Sequence, residues 1–98
     1  MPATPAVEIT YCRLCGWGLR AAWMAQELLA TFAQELGSVI LTPDAKGGVF
    51  EVRVDGDTIW SRKDQGRFPE ITELKQLVRD RVAPDRPLGH TDRPRGNH

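Results

Sequence analysis

Two cysteines stand three positions apart in the run Cys12-Arg13-Leu14-Cys15, and the chain has no others. Two sulfurs at this spacing can close an intramolecular disulfide around a turn with little chain rearrangement. A thiolate there can attack a foreign disulfide and then be resolved by its neighbour, and that step needs no further acid or base and no cofactor. The pair is expected where a turn enters a helix. There, unpaired N–H groups and the Arg13 cation would draw one thiol pKa from about 8.5 towards roughly 7 or lower.

The same spacing is half of a zinc site. Zinc takes four ligands, and the other candidates, His90 and His98, lie near the C-terminus, so a metal reading requires two chains that each supply Cys12 and Cys15 at a dimer interface. A chemically idle pair is the third reading. No metal is assigned to the single chain.

A count of two cysteines excludes a multi-bridge secreted scaffold, and in a reducing compartment such a pair reads as redox or metal chemistry. Met1 to Ala6 contains no basic run leading into an apolar stretch, and no segment approaches the roughly 20 apolar residues of a membrane span. A cytoplasmic location is therefore expected. Thirteen basic residues balance thirteen acidic ones, so the chain offers no broad positive field for nucleic acid or anionic lipid.

Four further features near the pair invite a functional reading, each beside a plainer one. Trp17 follows Cys15 by two residues in a glycine-flanked stretch that is not yet amphipathic, which makes it a candidate substrate contact. Trp23 and Trp60 read as core filling, the usual place of an aromatic in a small domain. Arg13 is a candidate substrate contact, and Arg20, one turn beyond the motif, either steers an acidic partner or lies on a solvated helix face. Gly47-Gly48 either lets backbone approach a substrate, with Gly48 the candidate, or serves only the turn before a strand.

The elements that must position these residues follow from hydrophobic patterning. At 98 residues the chain can form one compact domain but not two. Val7 to Tyr11 is β-rich and runs into Cys12. Ala25, Leu28, Leu29, Phe32 and Leu36 mark one face of a helix that Gly37 would end. Val39-Ile40-Leu41 reads as a short buried strand, followed by the breaker-rich segment Thr42 to Gly48, and the helix between makes the first two strands parallel. Phe50, Val52 and Val54 alternate with Glu51 and Arg53, and Asp55-Gly56 suits a tight turn into an antiparallel strand from Asp57 to Ser61. Pro69 suits a first helical position, and Ile71, Leu74, Leu77, Val78 and Val82 form the buried stripe of a helix ending near Ala83. Beyond Pro84 the chain is rich in proline, glycine and charge, and residues 84–98 are expected to form a disordered tail outside a domain of residues 1–83. The order β-α-β-β-β-α is a thioredoxin-like α/β plan: a mixed four-stranded sheet with two helices, in which a loop replaces the middle helix.

Tyr11-Cys12-Arg13-Leu14-Cys15 resembles the strand-end motif of the selenoprotein W-like, or Rdx, family. Gly48-Val49-Phe50-Glu51-Val52 with Asp55-Gly56 resembles the family's hairpin, and Ile59-Trp60-Ser61-Arg62-Lys63 with Gly66-Arg67-Phe68-Pro69 extends the likeness over about residues 6 to 83. The combination is far more specific than CxxC alone. The resemblance implies a thioredoxin-like fold and a thiol-based, antioxidant or glutathione-linked role. In selenium-containing relatives selenocysteine maps onto Cys15, whereas thioredoxin chemistry would give the first attack to Cys12. Thioredoxins place a cis-proline before the strand facing the dithiol; here Gly48 and Val49 stand there and the nearest proline is Pro43.

The sequence is thus expected to encode a thiol–disulfide oxidoreductase acting through Cys12 and Cys15 on a disulfide-bearing protein or glutathione. Two alternatives stand beside it: a binding module regulated by its dithiol, without turnover, and a dimeric zinc protein.

Overall fold

The computed structural model describes residues 4–89. Strands β1 (Ala6–Cys12), β2 (Ser38–Asp44), β3 (Phe50–Val54) and β4 (Asp57–Ser61) form one sheet in the order β2-β1-β3-β4. Helix α1 (Gly18–Thr31) connects β1 to β2, a single-turn helix α2 (Arg62–Gln65) follows β4, and α3 (Ile71–Val82) closes the domain. The crossover through α1 makes β1 and β2 parallel, whereas β3 runs antiparallel to both β1 and β4. This is the mixed thioredoxin-like sheet with two main helices that the pattern of the sequence predicts.

Side-chain alternation sorts the sheet into two faces. Val7, Ile9 and Tyr11 lie opposite Val54, Val52 and Phe50. That row packs against Met24, Leu28 and Phe32 from the α1 side and Leu74 and Val78 from α3. Burial of each large apolar side chain contributes about 1.5–3 kcal/mol. The other face is polar: the Thr42 hydroxyl donates to Glu8 at 2.6 Å, and Arg53 reaches the Thr10 hydroxyl at 3.3 Å while pairing with Glu51.

The hairpin turn forms as its residues require. Asp55 has φ +49° and Gly56 φ +89°, the pair of positive angles that matches the twist of the flanking strands. Asp55 also fastens the turn to the start of β1. Its carboxylate accepts from the Ala6 N–H at 2.9 Å, and its own N–H donates to the Ala6 carbonyl at 2.9 Å. In β4 the pairing steps from Val52–Trp60 to Arg53–Thr58, so Ile59 is the extra residue of a bulge.

Three local expectations are corrected. α1 ends at Thr31, not at Gly37, and Phe32 and Leu36 stay buried because the chain turns back on itself, with the Leu36 N–H bonded to the Phe32 carbonyl at 3.0 Å. Gly37 instead serves a close approach, since a side chain there would collide with Thr4. β2 is an edge strand, so Ile40 and Leu41 are 47% and 38% exposed and not buried between neighbours. Pro69 precedes the helix: Glu70 is the N-cap of α3 and forms a capping box with Glu73.

Of the segment expected to be a disordered tail, residues 90–98, including His90 and His98, lie outside the described residues. Residues 84–89 are described. There Arg86 donates to the Thr31 carbonyl at 2.7 Å and to Glu35 at 3.0 Å, with its guanidinium 5.4 Å from the centre of the Phe32 ring.

Candidate dithiol site

β1 ends at Cys12 because the chain there leaves the sheet as a 3-10 turn, Arg13–Cys15, closed by Gly16 at φ +72°. A residue other than glycine would be strained at that angle. The turn brings the Cα atoms of Cys12 and Cys15 to 5.4 Å, and the two sulfurs form a disulfide. The cysteines are not equivalent. Cys12, paired with Asp44 at the end of the parallel ladder, is 0% exposed, whereas Cys15 lies on the surface between Leu14 and Gly16, both also exposed.

The pair precedes α1 and does not lie in its first turn. Trp17 is the helix N-cap and Gly18 its first residue, so Cys15 sits outside the short range over which a helix dipole acts strongly. This shifts the source of any thiolate stabilisation from the helix start towards the local turn and nearby cations, Arg13 being exposed on that turn.

Gly48 stands one residue before Val49, whose backbone meets Cys12. The glycine's φ of +78° turns the chain so that Val49 can accept the Cys12 N–H on its carbonyl at 2.7 Å. No neighbouring atom would block a Cβ at Gly48, so its backbone angle, not lack of space, calls for glycine.

Trp17 is partly buried against aromatic neighbours. Its ring meets Phe68 edge-on at 4.8 Å and Phe50 at 6.5 Å, and Phe50 and Phe68 meet at 5.0 Å. Contacts of this geometry are worth about 0.5–1.5 kcal/mol beyond burial. Two arginines lie on this cluster: the Arg20 guanidinium is 4.3 Å from the centre of the Phe68 ring, and that of Arg62 is 4.9 Å from Trp17 and 5.0 Å from Phe68. Arg20 is exposed on the face of α1, as its plainer reading has it, with its guanidinium resting on the Phe68 ring. Trp23 is 47% exposed, against its reading as core filling, while Trp60 is buried as that reading requires.

Phe68 is held in place by the segment that follows β4. The Trp60 indole donates to the Arg67 carbonyl at 3.1 Å, and Arg67 makes a two-pronged pair with Glu73 at 2.9 and 3.0 Å. That carboxylate holds the exposed guanidinium above its usual pKa. The sequence shows the Arg-Phe-Pro run but not its contact with Trp17, which joins residues about fifty positions apart.

Beside the loop that carries Gly48 lies a groove of about 220 Å³, lined by Lys46, Gly47, Gly48, Glu51, Arg62 and Lys63 among others. In the sequence Arg62 and Lys63 stand out only as part of the family likeness, and nothing in the linear pattern joins them to Lys46. Among the described residues no three His, Cys, Asp or Glu side chains gather where they could hold a metal ion, so a zinc site would need ligands from beyond them. No helix among these residues is long and apolar enough to cross a membrane.

A disulfide on the turn after the first strand of a mixed, helix-backed sheet defines a thioredoxin-like dithiol protein. The Rdx family model matches residues 6–80, and the chain belongs to that family. It is similar to a selenoprotein W-related protein of Vibrio cholerae, with 51% identity over 82% of this chain and 99% of that one, and a TM-score of 0.78. A protein of Bordetella parapertussis is 51% identical over 82% of this chain and 100% of its own, with a TM-score of 0.79. No curated protein matches the chain.

Proposed function

We propose that the protein is a thiol–disulfide oxidoreductase in which Cys15 exchanges with the partner and Cys12 resolves. The observation that carries this reading is the split exposure of the bonded pair, Cys12 at 0% and Cys15 at the surface. Exchange requires a thiolate to reach the sulfur it attacks, and only one cysteine of this pair is exposed to a bulky partner.

In the reduced protein the Cys15 thiolate attacks a partner disulfide. A Cys15–partner mixed disulfide forms, and the first partner thiolate leaves. The Cys12 thiolate then attacks the Cys15 sulfur, the Cys12–Cys15 bond forms, and the second partner thiolate leaves. Two electrons pass to the partner, and the two protons of the dithiol end on its two thiols. One cellular thiolate then attacks Cys15 and releases the Cys12 thiolate, and a second attacks the resulting mixed disulfide at the cellular sulfur, releasing Cys15 and leaving the two cellular thiols joined as a disulfide. The partner is a disulfide-bearing protein or glutathione, and the cycle belongs in a reducing, cytoplasmic setting, where the dithiol is regenerated. With sulfur in place of selenium at position 15 the nucleophile is weaker, so reduction of disulfides fits better than reduction of peroxides.

A second reading has one observation in its favour. Leu14 and Leu19, on either side of Cys15 in the chain, are 75% and 86% exposed, as a redox-regulated binding module without turnover would display them.

Titration in glutathione redox buffers, with alkylation of free thiols and mass analysis, tests the proposal. A reversible Cys12–Cys15 disulfide with a midpoint between roughly −180 and −300 mV is expected. No intramolecular disulfide at any poise would overturn it.

A further inference from the structure

The groove along the loop that precedes β3 joins two segments distant in sequence, the loop bearing Lys46, Gly47 and Gly48 and the start of α2 with Arg62 and Lys63. Its cations are unspent. Among the described residues neither Lys46, Arg62 nor Lys63 has an ion pair, whereas Lys75, Arg79 and Arg81 of α3 each have one. The acid on its wall, Glu51, is already paired with Arg53 on the polar face of the sheet.

Arg62 sharpens the point. Its aromatic contacts with Trp17 and Phe68 fix the guanidinium, and its Nε is buried without a hydrogen-bond partner. The buried Nε is itself closed to an incoming ligand, but Arg62 as a residue is partly exposed, and a guanidinium is geometrically suited to a carboxylate. Excess positive charge has thus been gathered in one groove of a chain whose formal charge is zero. Val49, in the same wall, carries the carbonyl that accepts the Cys12 N–H, which ties this wall to the end of β1, although neither cysteine lines the groove itself.

We infer that this groove selects the partner by charge, binding carboxylates that flank the partner's disulfide, and that the preferred partner is an acidic peptide segment. The inference rests on the exchange reading for its consequence but not for its binding step. An acidic segment seated on Lys46, Arg62 and Lys63 places its disulfide near Cys15, and the two exchange steps given above then follow with the same balance of electrons and protons.

Two measurements separate the two claims. In the first, peptides with serine in place of cysteine and flanked by four glutamates or four lysines are titrated into oxidised, 15N-labelled protein. The acidic peptide is expected to shift the Gly47 and Gly48 amides, with binding weakened about tenfold or more between 20 mM and 300 mM salt, and the basic peptide to leave them unmoved. In the second, the cysteine-containing counterparts, as mixed disulfides with a chromogenic thiol, are reduced by the dithiol protein. The acidic peptide is expected to react about tenfold faster than the basic one at low salt.

The double variant Lys46→Glu/Lys63→Glu should abolish or invert that ratio, while Arg81→Glu, a charge reversal of the same sign at the far end of the sheet, should leave it unchanged. Binding without charge preference, or a ratio lost equally in Arg81→Glu, would overturn the inference. Charge-selective binding with no exchange on any peptide would uphold the groove and sink the oxidoreductase reading alone. Oxidised glutathione, a small disulfide with carboxylates, is the remaining arm: if it shifts the same amides as strongly as the acidic peptide, the carboxylates come from a small molecule and the peptide assignment falls.

Discussion

The two ends of the sheet are built differently. At the end where β1 begins, groups find partners within the fold: Asp55 takes the Ala6 N–H, Arg81 pairs with Asp57 at 3.2 Å, and Arg86 holds Glu35 and the last carbonyl of α1. At the end where β1 stops, the turn leaves Cys15 and Leu14 in solvent, and Arg13, Lys46, Arg62 and Lys63 carry no ion pair among the described residues. A side chain that the fold does not satisfy is available to something else. The first end keeps the domain closed, and the second presents the sulfur and the charges that an incoming partner would meet.

That division can be broken by substitution. The largest expected effect is on Phe32→Ala, which removes a fully buried ring from the first end. It should lower stability by about 3–5 kcal/mol in urea unfolding, while the molecules that remain folded exchange at the normal rate. Loss of exchange in the folded fraction would show that the two ends are coupled. Gly56→Ala should cost about 1–2 kcal/mol, because its φ of +89° is one that alanine rarely adopts. The midpoint potential of the dithiol should not move. Arg81→Ala is the smallest: an exposed pair with Asp57 contributes no more than about 0.5 kcal/mol, and neither stability nor exchange should change beyond that.

Local patterns were legible wherever one segment contains its own explanation. The closure of Cys12 with Cys15 around a turn, the Asp55-Gly56 hairpin and the stripe of Leu74 and Val78 all required only neighbours in sequence, and each is found, although the turn stands before α1 and not at its first residues. Val39-Ile40-Leu41 reads as a buried strand because apolar runs usually are, but burial depends on which strands lie on either side, and β2 has only one. Phe32 and Leu36 keep the spacing of a helical face after the helix has ended, since turning the chain back buries them equally well. The single turn Arg62–Gln65 carries no periodic signal at that length. The groove was the least legible feature, because residues 46–48 and 61–63 meet only through the pairing of β3 with β4. The unequal exposure of the cysteines was equally hidden: two like residues three apart differ only because one ends a strand and the other ends a turn.

That inequality carries the central claim, and trapping tests it most directly. Cys12→Ser and Cys15→Ser variants are mixed with an oxidised acidic peptide, quenched with acid and resolved by mass. Cys12→Ser should accumulate a stable mixed disulfide through Cys15, and Cys15→Ser should trap little or none. Predominant trapping by Cys15→Ser, through Cys12, would contradict the assignment.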